Sequence, residues 1–368
     1  MNITNGIEKK LLKILAEGRK LVILMGEIKN IRRKKNIINK VILSKEQKAE
    51  IDEFFINNYG KKVKYHWHRL YQSYTGMFNK EYFPEVLFSC ELEPLLNNKQ
   101  IARVVGDKNL LCQFLGQVKG IHIPQTYVSC INGILRDENN NLINKEQVCS
   151  IISNKVCIIK KTIDTSSGRD VFVCDFIDGV DRKSHMTISE IIEDMGDNFI
   201  IQEKIIQHED LMKLYPNSLN TFRVITYIAN NKIFHAPIAL RLARGGSDRD
   251  NIHYGGIVVG VEDNGSLFNK AFDEFGSDFT HHPDTKIEFS GYKINRIDEM
   301  IDCAKKLHAC IPYLGIVSWD LSIDSEGLIT LIEANTWGQS AWFPQMIQGK
   351  SLFGDNTAYM LDKISKRK

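Results

Sequence analysis

The sequence predicts an α+β protein in which mainly antiparallel sheets are flanked by helices, and three observations carry that reading. From Asp107 onward, segments of helical periodicity alternate with short apolar strand patterns. Two pairs of strand patterns are joined by reversal signals, Asn230-Asn231 and Asp324-Ser325-Glu326-Gly327. The first hundred residues, by contrast, read mostly as helix. At 368 residues the chain exceeds one ordinary core and suits two or three domains.

The elements follow in order. Up to about residue 40 the chain is helical in tendency and basic, with IKNIRRKKNIINK at 28–40. A solvated helix face is one reading. Attachment to an anionic membrane surface is the other, at about 1 kcal/mol per nearby Lys or Arg. Ser44-Lys45-Glu46-Gln47 fits a capping box opening a helix through EIDEFFINNYG, which Gly60 stops. In KYHWHRLYQSYTGMF, His66 and His68 alternate with Tyr65 and Trp67, and aromatic packing is favoured over a metal pair. DKNLLCQFLGQVKG reads as a helix closed by Gly120, and IHIPQTYVS as one strand. VCIIKK and DVFVCDF are strands around TIDTSSGR, SHMTISEIIEDMG is a helix, and NFIIQEKII is a strand. TFRVITYIANNKIFHAPIALRLA forms a long hairpin, and INRIDEMIDCAKKLHACI is a helix before the last hairpin.

Composition narrows the function classes. Hydrophobic content of 43% and charged content of 25% are those of a globular, water-soluble chain. A net charge of +3 without a nucleic-acid-binding signature argues against DNA or RNA as the main partner. The eight cysteines contain no C-x-x-C pair and read as buried thiols in a reducing cytoplasm. LVILM is too short for a signal peptide, and no run approaches the roughly 18 apolar residues of a membrane span. A cytoplasmic protein is expected.

The last hairpin, WDLSIDSEGLITLIEANTWG, holds the sharpest site signal. In the simplest register Ile323 faces Leu328, which sets Asp320 opposite Leu331. Alternation then places Asp320, Leu331, Glu333 and Asn335 on one face. Trp319, Leu321, Ile323, Leu328, Ile332 and Ala334 take the core face. Asp320, Glu333 and Asn335 are hard oxygen ligands of the kind magnesium shares with nucleotide phosphates. A salt-bridged sheet end is the alternative. Upstream, Lys160 ends an apolar strand, and TIDTSSGRD follows as a loop able to set backbone N–H groups on phosphate. It lacks the Walker A spacing. Glu203 and Lys204 interrupt IIQEKII, a strand end that can face an adenine edge and a ribose, or simply water. Arg223 and Arg241 lie on the two arms of the long hairpin, where they can clamp phosphate or a substrate carboxylate, or pair with structural acids.

Taken in this order, the lysine, phosphate loop, Glu-Lys strand, arginine hairpin and D…E-x-N resemble the ATP-grasp superfamily over roughly residues 100–345. EANT is similar to the metal motif of D-alanine–D-alanine ligases. WHRLYQSYTGMF, GDKN, SLNTFRVITYI and ALRLARGGSDRDNIHYGGI narrow the resemblance to the sugar-transfer-associated ATP-grasp family. The resemblance implies an ATP-grasp fold, two α+β subdomains sandwiching ATP. A helical region at 1–100 and a short segment at 101–150 would precede a small subdomain at 151–215 and a large one at 216–350, with a C-terminal helix or tail at 351–368.

The resemblance also distributes roles. Lys108 and Lys160 would hold nucleotide phosphates, with Lys161 a possible substitute because the usual Lys-Pro is Lys-Lys here. Ser167 and Gly168 would belong to the phosphate loop, Glu203, Lys204 and Ile206 to the adenine pocket, and Glu209 or Asp210 to the ribose. Asp320, Glu333 and Asn335 would bind magnesium. Arg223, Arg241 and Lys160 would be catalytic, Gly338 an oxyanion donor, and Asp250, Asn251 and His253 near the acceptor. The implied activity is ATP- and magnesium-dependent ligation of a carboxylate to an amine through an acyl phosphate, in bacterial surface polysaccharide biosynthesis. Small-molecule or saccharide substrates are expected, and the oligomeric state is left open. Alternatives are a phosphotransferase, or a nucleotide-binding scaffold touching glycosyltransferases or the membrane.

Overall fold

Local signals set the N-terminal helices. In the computed structural model, which describes residues 2–162, 171–311 and 313–366, these are α1 (Asn2–Arg33), α2 (Lys35–Ile38), α3 (Lys45–Tyr59) and α4 (His66–Thr75). Ser44 Oγ accepts from the Gln47 N–H at 3.1 Å, and Gln47 Oε1 accepts from the Ser44 N–H at 3.0 Å. Gly60, at φ +81°, closes α3. Ile51, Phe55 and Tyr59 recur every four residues, so one face of α3 packs on the C-terminal helix Thr357–Lys366. His66 packs against the Trp67 ring, with centroids 5.7 Å apart. His68 is buried, bonds the Lys80 carbonyl at 3.1 Å through Nε2, and packs edge-on against Phe55.

Two expected elements are shorter than predicted. The helix from Lys108 ends at Leu115 rather than running to Gly120, because Gly116 interrupts it and the chain unwinds into a turn. IHIPQTYVS splits into β1 (Ile121–His122) and β2 (Thr126–Ile131). Pro124 lies between them and has no N–H for a ladder.

β3 (Ile134–Asp137), β4 (Val156–Lys161), β5 (Val171–Ile177), β6 (Val180–Asp181) and β7 (Phe199–Glu203) join β2 in a six-stranded sheet ordered β3-β2-β7-β4-β5-β6. Helices Lys145–Ile152 and Ile188–Met195 cover it through Val148, Ile152, Ile188, Ile191 and Ile192. A nine-stranded sheet follows, built on β1 with β8 (Thr221–Ala229), β9 (Lys232–His235), β10 (Ile238–Leu242), β11 (Ile257–Val261), β12 (Leu267–Phe272), β13 (Asp278–Phe279), β14 (Ile316–Ile323) and β15 (Ile329–Asn335). Its order is β1-β15-β14-β8-β10-β11-β12-β13, with β9 also paired to β8. Among the described pairings only β1–β15 is parallel. Asn230 and Asn231 both take positive φ, as the tight turn between β8 and β9 requires.

The large sheet is covered on both faces. Phe222 and Val224 pack with Met300, Ala304 and Leu307 of helix Ile297–Ala309, whereas Ile225 and Tyr227 pack among Phe55, Phe83 and Met360. β14 is buried along its whole length.

The register of the last hairpin departs from the simplest one. Asp324 Oδ1 accepts the N–H groups of Glu326 and Leu328, and Gly327 takes φ +82°. The loop therefore keeps Leu328, which is 40% exposed rather than core, and pairing starts at Ile323–Ile329. Leu321 then faces Leu331, which moves Leu331 from the acidic face to the core. A β-bulge between Asp320 and Leu321 leaves Ile332 as the extra residue and sets Asp320 opposite Glu333. Without it Glu333 would oppose Trp319 on the core side. The bulge is what brings the two acids together.

Candidate active site

Three neighbouring strands carry one charged row. Glu333 on β15, Asp320 on β14 and Arg223 on β8 are consecutive cross-strand partners. Arg223 opposes Ala239, and Arg241, two residues further along β10, opposes Thr221. Alternation puts both arginines on the face of the acids. Asp320 is 5% exposed, so its charge persists only if paired. Its Oδ1 accepts from Arg223 Nε at 2.6 Å, and its Oδ2 from an Arg241 terminal nitrogen at 3.2 Å and from Asn335 Nδ2 at 3.3 Å. Burial opposes ionisation of Asp320, but Arg223 and Arg241 outweigh it and hold the carboxyl below its ordinary range.

Asp250 completes the arginine cage. Its Oδ2 lies 3.3 Å from Arg241 Nε and accepts the Thr221 hydroxyl, which in turn accepts from Arg241 Nε at 2.9 Å. Burial raises the Asp250 carboxyl, while the Arg241 charge opposes that rise. In the structure, then, both hairpin arginines are engaged with acids of the site itself.

The two lysines approach from outside this sheet. Lys108 is the first residue of a helix capped by Asp107, and its Nζ lies 3.4 Å from Glu333 Oε1. Lys160 is the next-to-last residue of β4 and is 8% exposed. Burial, then the neighbouring Lys108 charge, pushes its amine down to about 8, against the pull of Glu333. Lys160 therefore senses Lys108 and Glu333. Among the described residues, Arg223, Arg241, Lys108 and Lys160 face Asp250, Asp320 and Glu333, four cations to three anions.

Glu203, Lys204 and Ile206 line a groove of about 350 Å³ with His122, Asp324 and Leu328. Ile206 is 62% and Leu328 40% exposed, giving the groove two apolar surfaces that a flat base can cover. His122 ties its walls together, bonding Asp324 Oδ2 at 2.7 Å through Nδ1 and Glu203 Oε1 at 2.9 Å through Nε2. Lys160 pairs with Ile200, three strand positions, or ~10 Å, from Glu203. Glu209 and Asp210 begin helix Glu209–Leu214, where both pair with Lys213, and they do not line the groove. Ser167 and Gly168 lie outside the described residues. Gly338 and His253 line a different cavity, of about 520 Å³.

The donor set fits magnesium. Glu333, with its side chain 31% exposed, can reach a ligand, and Asn335 adds an amide oxygen. Magnesium commonly takes only one or two carboxylates and completes its shell with phosphate and water. Among the described residues no group of three or more His, Cys, Asp or Glu forms a ready-made metal cluster. The two arginines and the buried lysines fit a polyphosphate.

Sequence reasoning missed the Ile332 bulge, the Thr221–Asp250 bond and the bridging His122. The bulge and His122 leave no local signal. Asp250 closes SDRD in a polar stretch, where an acid is unremarkable until Arg241 is seen beside it.

A family model described as sugar-transfer associated ATP-grasp matches residues 87–360. No curated protein matches the sequence. Solved structures similar in fold include a carboxyaminoimidazole ribonucleotide synthase from Aspergillus clavatus complexed with ATP, at 13% identity and TM-score 0.39, covering 65% of this chain and 47% of that one. A biotin carboxylase from Campylobacter jejuni, in an ATP-type complex, matches at 15% identity and TM-score 0.42, covering 72% and 47%. A D-Ala:D-Ser ligase from Enterococcus faecalis matches at 13% identity and TM-score 0.40, covering 71% and 61%. The chain spans about half the length of the first two.

Proposed function

We propose a reaction from one premise: this chain belongs to the sugar-transfer-associated ATP-grasp family. The reaction is ATP- and magnesium-dependent joining of a carboxylate to an amine, with a role in building bacterial surface polysaccharide. The observation that carries the reading is the charged cluster in which Glu333 and Asn335 stand beside Lys108 and Lys160.

Bound there, magnesium-ATP supplies the phosphoryl group that turns a carboxylate into an acyl phosphate open to attack by an amine. Glu333 and Asn335 would hold the metal, with Asp320 behind them. Asp320 also fixes Arg223 and Arg241, so their guanidinium groups are preorganised rather than drawn from solvent. Lys160 and Lys108 set fixed charges for the phosphates. A nucleotide triphosphate carries ~4 negative charges, which magnesium would offset in part beside the cations of the site. The groove at Glu203, Lys204 and Ile206 takes the base. No enzyme nucleophile is required, and catalysis is positioning and charge stabilisation.

The test is a turnover screen over amino acids and uronic acids with mass spectrometry of the products. ADP and phosphate should appear only when carboxylate and amine are both present. Normal turnover by Glu333→Ala would remove the metal assignment. A scaffold role at a membrane or glycosyltransferase is the second reading, favoured by the exposed Leu21, Val22, Met25 and Ile28 on α1. Tight ATP binding without turnover across the whole screen would support it.

A further inference from the structure

The 520 Å³ cavity lies beside the charged row, between α1 and α4 on one side and the segment after β15 on the other. Gly338 is three residues beyond Asn335, and His253 is three beyond Asp250. Three residues span at most ~11 Å of backbone, so two walls of the cavity are tethered to the two ends of the charged cluster.

Its chemistry is unlike that of the phosphate site. Glu27, Glu85, Glu93 and Glu274 line it, against Lys34 and His253. Most of these groups have partners. Glu274 bonds His253 at 3.0 Å and lies 3.9 Å from Lys34. Glu85 accepts the Ala341 N–H and Glu93 the Gln339 N–H, each at 2.9 Å.

Among the described residues, three buried atoms at this cavity have none, Ser340 Oγ among them. Glu27 Oε2 accepts no hydrogen bond, and Trp67 Nε1 donates none, although Trp67 is only 3% exposed. An orphaned buried acceptor and an orphaned buried donor at one cavity both await a ligand. Burial holds the Glu27 carboxyl above its ordinary range against the opposing pull of Lys34 and an Asn30 hydrogen bond, and an incoming cation at Oε2 would relieve the remaining penalty. The cavity already displays a taste for ammonium groups: Lys34 Nζ sits 3.3 Å from the ring centre of Trp342. The indoles of Trp67 and Trp342 add flat apolar surface.

We propose that this cavity binds the amine substrate, a primary ammonium carried on a hydroxylated ring of amino-sugar type. Glu27 receives the ammonium, and Trp67 Nε1 donates to a ring hydroxyl. The assignment rests on the ligase reading: the ammonium gives a proton to the Glu27 carboxylate, and the free amine attacks the carbonyl carbon of the acyl phosphate, forming the amide C–N bond and displacing phosphate.

The test uses the full chain with magnesium and a non-hydrolysable ATP analogue, and D-glucosamine and N-acetyl-D-glucosamine as probes, with binding followed by calorimetry. Glucosamine should bind, and its neutral N-acetyl form at least ~10-fold more weakly. Glu27→Gln should weaken glucosamine binding at least ~10-fold and Trp67→Phe several-fold, with the affinity for the ATP analogue unchanged. Glu27 lies on a partly exposed helix, so Glu27→Gln carries the test if Trp67→Phe folds poorly. Absence of glucosamine binding, equal binding of the N-acetyl form, or full affinity in Glu27→Gln overturns the assignment while leaving the ligase reading in place. Failure of the wild type to bind the ATP analogue overturns the ligase reading itself.

Discussion

Lys160→Met separates stability from function at one residue. Lys160 is 8% exposed, and its amine falls from the ordinary 10.5 to about 8. At ~1.4 kcal/mol per unit, keeping it charged in the folded protein costs ~3 kcal/mol at neutral pH. Between about pH 8 and 10.5 the unfolded chain binds the proton that the folded chain has released, so stability rises with pH across that window. Below about 8 the whole penalty remains. Methionine removes it. Unfolding entropy near 2.1 cal/mol/K per residue amounts to ~0.8 kcal/mol/K here, so the variant should melt ~4 °C higher at pH 7. It should also lose the rise in stability above pH 8. Addition of magnesium-ATP should raise the melting temperature of the wild type but not of Lys160→Met. Calorimetric melts at pH 7 and 9.5, with and without nucleotide, read all of these effects. A variant that melts lower than the wild type, or that ATP still stabilises, would refute the reasoning.

Other substitutions probe the remaining parts. Glu333→Gln should lower turnover on the order of 100-fold in a steady-state ADP assay, since it weakens a ligand of the magnesium that offsets charge on the reacting phosphates. Arg241→Leu leaves Asp250 and Asp320 buried with one cation fewer, and should cost ~3–5 kcal/mol in a denaturant titration. Ser44→Ala breaks the capping box of α3 and should cost ~1 kcal/mol, about 1 °C of melting temperature, with ATP binding unchanged.

Much of the fold was legible because its signals are local. The capping box at Ser44, the Asn230-Asn231 turn and the strands β4 and β5 each depend on a few neighbouring residues, and each appears as read. The site was legible as a set of residue types in order, and Lys108, Lys160, Asp320, Glu333, Asn335 and both arginines form one cluster or border it. What the sequence hid is non-local. The hairpin register depends on how Asp324 folds the loop, and the bulge at Ile332 depends on packing Leu331 and Ala334 in the same core. The cavity at Glu27, Trp67 and Gln339 joins residues more than 300 positions apart. A basic run on α1 carries no trace that Lys34 turns inward onto Trp342.

The central claim is that a carboxylate is activated by phosphoryl transfer. The most direct measurement is trapping with hydroxylamine in the presence of magnesium-ATP and each member of a panel of uronic and amino acids. A hydroxamate formed in step with ADP, from one class of acid and without added amine, is the predicted result. ADP release that yields a phosphate ester and no hydroxamate from any acid would contradict it.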